Sequence, residues 1–318
     1  MGEPAPSSVS RRSDRLRIGV TVGDPAGIGP EIARLAALDA RVLAVCEPVL
    51  YGPWSDAAVS RFTPGVGSAE SGQIAYDAVR EATTDALAGR LDAVVTAPIN
   101  KLMWAKAGLT WRGHTELLAH LTRADAVAMM FHTPTLNVVL ATVHVPLADV
   151  PRVLTRERLT QTIALAQQAL PWFGVAEPRI AVAGLNPHAG EDGLLGLEDR
   201  EVLRPAIERC QDGGTRVSGP FPGDTVFLRA LRGEFDVVVA AYHDQGLIPV
   251  KLVGFGSAVN VTLGLPIVRT SVDHGTAYDI AGQGKADPSS LVAAVNLAVK
   301  LVGARSDLSP ALSPSPSS

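Results

Sequence analysis

The sequence predicts an α/β protein built on a mostly parallel sheet, and three observations carry that class. Short β-branched runs alternate with longer segments rich in Ala and Leu. The short runs are apolar throughout, the pattern of strands buried on both faces. The chain has 318 residues, 47% of them hydrophobic, enough for a large core and more than one lobe.

Taken in order, "RIGVTVG" (17–23) is the first strand and leads through the loop "GDPAGIGPE" (23–31) into a helix over 30–39. Pro30 suits the first helical turn, and the glycines allow a ligand to approach the backbone. The loop is neither a G-x-G-x-x-G fingerprint nor a P-loop. A helix over 71–89 precedes a strand at 92–99, and a strand at 137–144 precedes a helix over 155–170. Strands at 179–186 and 235–243 follow, and a helix over 288–303 closes the pattern. Residues 1–13 and 305–318 are Ser/Pro-rich and read as flexible tails.

A net charge of -4 and 5% aromatic residues argue against a nucleic-acid partner. Cys46 and Cys210 lie far apart with no C-x-x-C spacing, so no disulfide framework or cysteine zinc site is expected. A reducing, cytoplasmic setting fits. The early arginine pair is followed by a core strand instead of a signal-type apolar region, and no run approaches the length of a membrane span.

Ligands in such sheets bind at the carboxyl ends of strands. Three predicted strands close on a histidine there, at His144, His188 and His243. If those strands are parallel neighbours, three imidazoles emerge at one edge, the composition of a catalytic metal site with an open position. The other reading is three separate hydrogen-bonded histidines near the surface.

Further polar clusters each carry two readings. In "GHTELL" (113–118), His114 and Thr115 open a helical segment, either as an anion site or as an N-cap. Lys251, Asn260 and Arg269 sit at nine-residue spacing in apolar surroundings. The two cations either meet a counter-charge or snorkel outward. The glycine-rich stretch 273–290, with Gly275, Thr276, Asp279 and Gly282, is either a nucleotide loop or an ordinary surface loop. Asp224 and Asp273 are candidates for proton handling or for orienting ligands, or are structural caps.

The ordered blocks "GDPAGIGPE", "VTAPINK", "GHTE", "TVHVPLADV", "GLNPHAGE", "GDTVF", "YHDQGLIPVK", "VNVTLGLPIVRTSVDHGTAYDIAG" and "GKAD" resemble the 4-hydroxythreonine-4-phosphate dehydrogenase (PdxA) family. The resemblance spans about residue 17 to residue 303. It implies a two-lobed α/β/α fold like isocitrate and isopropylmalate dehydrogenases. The lobes expected are 14–112 plus 250–304, carrying the nucleotide loop, and 113–249, carrying the histidines. It also implies that His144, His188 and His243 hold a divalent metal (Zn, Mg, Co or Mn), and that His114, Thr115, Lys251, Asn260 and Arg269 meet the substrate. NAD or NADP is the implied cofactor. The implied assembly is a homodimer, with His144 and His188 from one subunit and His243 from its partner.

The implied reaction oxidises 4-phosphooxy-L-threonine to 2-amino-3-oxo-4-phosphooxybutanoate, which loses CO2 to give 3-amino-2-oxopropyl phosphate. A sister enzyme acting on 4-phospho-threonate, 4-phospho-erythronate or a cyclic dihydrodiol shares the apparatus. A metal-dependent hydrolase or aldolase is the rival of a different class. Two stretches depart from the family pattern: "RFTPGVGSAESG" (61–72) is short, and "YGPWSDAAV" lacks an acidic residue after Tyr-Gly. Altered edge structure with unchanged chemistry is the expectation there.

Overall fold

The computed structural model describes residues 15–254 and 256–308. Ten strands form one sheet: β1 (Arg17–Thr21), β2 (Glu47–Tyr51), β3 (Ala93–Thr96), β4 (Ala128–His132), β5 (Asn137–Leu140), β6 (Ile180–Ala183), β7 (Val217–Phe221), β8 (Val237–Ala240), β9 (Val259–Leu263) and β10 (Val268–Ser271). Their spatial order is β2-β1-β3-β10-β9-β4-β5-β8-β6-β7. β2, β1, β3 and β10 run parallel, as do β5, β8, β6 and β7. Antiparallel β9 and β4 join the two groups. Residues 14–112 and 250–304 supply the first five strands in this order, and residues 113–249 supply the other five.

All five sequence-predicted strands form, each shorter than expected because its carboxyl end opens into a loop. Four of the other five strands escaped the pattern for clear physical reasons. β2 and β7 are the two edges of the sheet and each contains a proline, Pro48 and Pro220, tolerated where one side of the ladder is unpaired. β9 and β10 interleave polar residues, so they do not read as continuous apolar runs.

The four predicted helices form as Gly29–Leu38, Ala69–Leu87, Arg156–Ala169 and Ser289–Leu308. Helix Ala69–Leu87 opens on a capping box in which the Ser68 and Ser71 side chains each accept from the other's backbone N–H. The last helix continues to Leu308, so residues 305–308 are helical and not part of a tail. The remainder of the two tails lies outside the described residues. No described helix is long and apolar enough to cross a membrane.

The central strands separate two environments by simple alternation. Val95, Val268, Val261 and Met130 enter the main apolar core, which helix Ser289–Leu308 covers. Thr270 belongs to this face, donating its hydroxyl to the Ala294 carbonyl of that helix at 2.8 Å. The intervening residues Thr96, Arg269, Ser271, Asn260, Met129 and Phe131 line a cavity on the opposite face. Two further apolar clusters flank that face, one around Trp104 and Leu117, the other around Val138 and Leu247.

Candidate active site

The cavity has a volume of about 270 Å³ and gathers residues from strands, loops and helix starts on both sides of the central strands. Its floor is Arg269, which is 2% exposed. The guanidinium donates to Thr262 Oγ1 at 2.8 Å and to Thr96 Oγ1 at 2.6 Å. Burial alone pushes its pKa down to about 9, so it remains charged at neutral pH. Among the described residues its two hydrogen-bond partners are neutral hydroxyls, which leave the charge uncompensated.

His114 and Thr115 begin helix His114–Thr122 and reach the same cavity. His114 packs edge-on against Trp104, with ring centroids 5.7 Å apart. Burial, and then the nearby charges of Arg269 and Lys101, hold its pKa well below the ordinary imidazole value, so the ring is neutral.

Seven buried side-chain polar atoms lack a hydrogen-bond partner among the described residues, and four belong to this site: His114 Nε2, Thr115 Oγ1, Asn260 Oδ1 and Arg269 Nε. Buried polar groups are nearly always satisfied, and leaving one unsatisfied costs about 1–3 kcal/mol. Four such atoms lining one cavity, beside an uncompensated cation, mark a site built for a polar, anionic ligand.

Lys251 lies in the last turn of helix His243–Gly254 and donates to Asp273 twice, to Oδ2 at 2.7 Å and to the carbonyl at 2.8 Å. Asp273 is in the wall of the cavity, so Lys251 meets the site through it. Lys101 and Glu116, which no sequence pattern above singles out, also line the cavity. The signal was available: Lys101 follows the end of a predicted strand, the rule that drew attention to the histidines.

The histidine-bearing strands are parallel neighbours, as the metal reading required. Ala141 N–H donates to the Ala240 carbonyl at 2.9 Å, and the Thr142 hydroxyl donates to the Ala241 carbonyl at 2.7 Å. These bonds tie two strand ends together and set His144 beside His243, with ring centroids 5.8 Å apart. Burial and then Lys101 lower the His144 pKa, the nearby Glu116 opposing, which favours the neutral ring that metal ligation needs. His243 Nδ1 lies 2.7 Å from Asp244 Oδ1, an outer partner of the kind that fixes a ligating imidazole.

His188 does not line the Arg269 cavity. It starts a run of left-handed backbone, with φ of 52, 52, 78, 44 and 53° from His188 to Asp192. It opens onto a different cavity, which it shares with Asp224 and Gln245. Asp199, 1% exposed, shapes this turn by accepting from the Leu185 and Asn186 N–H groups. Among the described residues of one chain no three His, Cys, Asp or Glu side chains converge as a metal site. Two imidazoles of the three that the resemblance implies lie side by side within the chain. Asp224 does not line the cavity that Asp273 does.

The stretch 273–290 packs against the loop 23–31. Ile28 N–H donates to the Thr276 carbonyl at 3.0 Å, and the Tyr278 hydroxyl donates to the fully buried Asp24 at 2.7 Å. Gly275 lines the Arg269 cavity, and a Cβ there would meet no atom within 4 Å, so the glycine keeps space open beside the floor. Gly282 faces Pro64 in a separate cavity, and the Asp279 carbonyl accepts from Gln283.

An α/β protein with an anion-receiving cleft on its central strands and a glycine-rich loop at the rim defines the class. The sequence model of "Pyridoxal phosphate biosynthetic protein PdxA" matches residues 31–298, and the chain belongs to that family. It is 43% identical to a 4-hydroxythreonine-4-phosphate dehydrogenase of Desulforapulum autotrophicum, over 90% of this chain and 95% of that one. It is 41% identical to a D-threonate 4-phosphate dehydrogenase of Pectobacterium atrosepticum, over 89% of this chain and 98% of that one. The crystal structure of 4-hydroxythreonine-4-phosphate dehydrogenase from Klebsiella pneumoniae superimposes with a TM-score of 0.80 at 40% identity, over 92% of this chain and 99% of that one. An isocitrate dehydrogenase from Methylococcus capsulatus shares the fold alone, with a TM-score of 0.50 at 18% identity. The chain is thus an enzyme, a dehydrogenase of the PdxA type.

Proposed function

We propose that this dehydrogenase oxidises 4-phosphooxy-L-threonine to 2-amino-3-oxo-4-phosphooxybutanoate, which decarboxylates to 3-amino-2-oxopropyl phosphate. The observation that carries the reading is the buried, uncompensated Arg269 among unsatisfied donors and acceptors, which suits a small substrate bearing phosphate and carboxylate. NAD or NADP supplies the hydride acceptor, and a divalent cation (Zn, Mg, Co or Mn) supplies Lewis-acid stabilisation of negative charge on the substrate's oxygens. His144 and His243 would hold that cation, with His188 as the third ligand.

Arg269 and Asn260 orient the anionic substrate from the floor. His114, held neutral, and Thr115 hydrogen-bond it from the helix start. Lys251 Nζ donates to Asp273 Oδ2, a pair able to pass a proton to or from the reacting end. Glu116 is the cavity carboxylate free of that pair, and it suits a substrate ammonium group. A D-threonate 4-phosphate substrate, which lacks the amino group, is the second reading, favoured by the 41% identity to an enzyme of that name. The two buried free cysteines fit a reducing, cytoplasmic setting.

The histidine arrangement supports a homodimer with a shared metal site. Pairing of His144 with His243 in one chain leaves His188 to come from the partner subunit. Inactive His144→Ala and His188→Ala chains, unfolded together and refolded, would then recover about a quarter of wild-type activity through mixed dimers with one intact site. The His144→Ala and His243→Ala mixture would recover none. The opposite pattern restores the partition that the family resemblance implies, and no recovery in either mixture rejects sharing.

The direct test is reduced-nucleotide absorbance with NAD and NADP across 4-phosphooxy-L-threonine, 4-phospho-D-threonate, 4-phospho-erythronate and a cyclic dihydrodiol. Turnover is expected with the first, lost on exhaustive chelation and restored by divalent metal. Absence of reduced nucleotide with every substrate would reject the proposed reaction and favour a hydrolase or aldolase.

A further inference from the structure

The two stretches that depart from the family pattern meet in space. Trp54 and Val59 from "YGPWSDAAV" and Pro64 from "RFTPGVGSAESG" form one wall of a cavity of about 410 Å³. Gly27, Gly282 and Gly284 form part of the other wall. The stretch 273–290 therefore serves two cavities, since Asp273, His274 and Gly275 line the substrate cleft.

Between these ends the stretch is fixed by Thr276 on Ile28 and by Tyr278 on Asp24. A ligand lying along it with one end in each cavity has the form of a dinucleotide, two mononucleotides joined by a pyrophosphate. The second cavity suits its base. Trp54 is 47% exposed, so its indole face is available for stacking. Arg34 and Asp56, also lining this cavity, lie 3.4 Å apart and offset each other's charge, which favours a neutral planar group over a phosphate.

We propose that Trp54 is the stacking platform for the adenine end of the dinucleotide, and that the departures of this chain shape its cofactor site instead of merely its edge. The inference rests on the nucleotide reading given under Proposed function, and the experiment separates the two. Calorimetric titration measures NAD, NADP, ADP-ribose and nicotinamide mononucleotide against wild type, Trp54→Ala and Trp54→Phe.

Trp54→Ala should bind the preferred dinucleotide and ADP-ribose roughly tenfold more weakly, as loss of base stacking requires. Trp54→Phe should retain most of the affinity. Nicotinamide mononucleotide binding and the KM for the phosphorylated substrate should be unchanged in both variants. Wild-type affinity of Trp54→Ala for the dinucleotide and ADP-ribose would overturn the inference while leaving the nucleotide reading intact. A wild-type enzyme that binds neither NAD nor NADP would overturn both. Because Trp54 is half-exposed, neither substitution opens a core cavity.

Discussion

The two faces of strands β3, β10, β9 and β4 carry opposite chemistries on one backbone. Val95, Val268, Val261 and Met130 look into the covered core, whereas Thr96, Arg269, Asn260 and Met129 look into the cleft. The register that pairs Arg269 with Val94 and Ser271 with both Thr96 and Asn260 puts the polar residues on one side. A one-residue slip would exchange the faces and bury the site in the core. The apolar face thus fixes the strands that hold the polar face in place. The polar face carries the energetic cost of unsatisfied groups until a ligand arrives.

The comparison can be broken most severely at Arg269. Arg269→Leu should lower kcat/KM by about 2–5 kcal/mol of transition-state stabilisation, the scale for removing one partner of a buried charge pair. Thermal unfolding should show no matching loss, because the charge removed has no compensating partner in the free enzyme. Unchanged kinetics would put Arg269 outside the site.

Met130→Ala tests the other face. It should destabilise the fold by about 2–5 kcal/mol in denaturant titration, the range for truncating a buried side chain, and leave KM near the wild-type value. A selective rise in KM without loss of stability would show that the faces are not independent.

The pH dependence of folding sharpens the contrast further. The folded state depresses the pKa of His114 below the ordinary 6.5, so the unfolded chain binds the proton first. Stability should therefore be fully present above about 6.5 and fall as pH drops through that value. His114→Gln should flatten part of this slope. His132, also depressed by burial, accounts for a share that remains. An identical slope in the variant would contradict the neutral, buried state of His114.

The smallest effect comes from a matched pair. Thr270→Val removes a hydroxyl bonded to Ala294 on the core face, and Thr96→Val removes one bonded to Arg269 on the cleft face. Each should cost about 0.5–1.5 kcal/mol of stability, and only Thr96→Val should raise KM. Equal KM values in the two variants would erase the functional difference between the faces.

The same alternation explains what was legible in the sequence. β1, β3, β5, β6 and β8 could be read as apolar runs, and their carboxyl ends pointed to His144, His188 and His243. β9 and β10 could not, because one side of each lines the cleft. Asn260 and Arg269 were nevertheless conspicuous, since an amide and a cation in apolar surroundings need a reason. Lys101 and Glu116 depend on how helices Lys101–Lys106 and His114–Thr122 turn toward the cleft. That His188 lines a different cavity from His144 and His243 is a tertiary fact, and no spacing in the sequence encodes it.

A crystal structure of the enzyme with 4-phosphooxy-L-threonine tests the central claim most directly. The account predicts anionic oxygens of the ligand within hydrogen-bond distance of Arg269 and Asn260, with His114 and Thr115 closing the other side. A ligand bound away from this face, with His114 Nε2, Asn260 Oδ1 and Arg269 Nε still unpartnered, would contradict it.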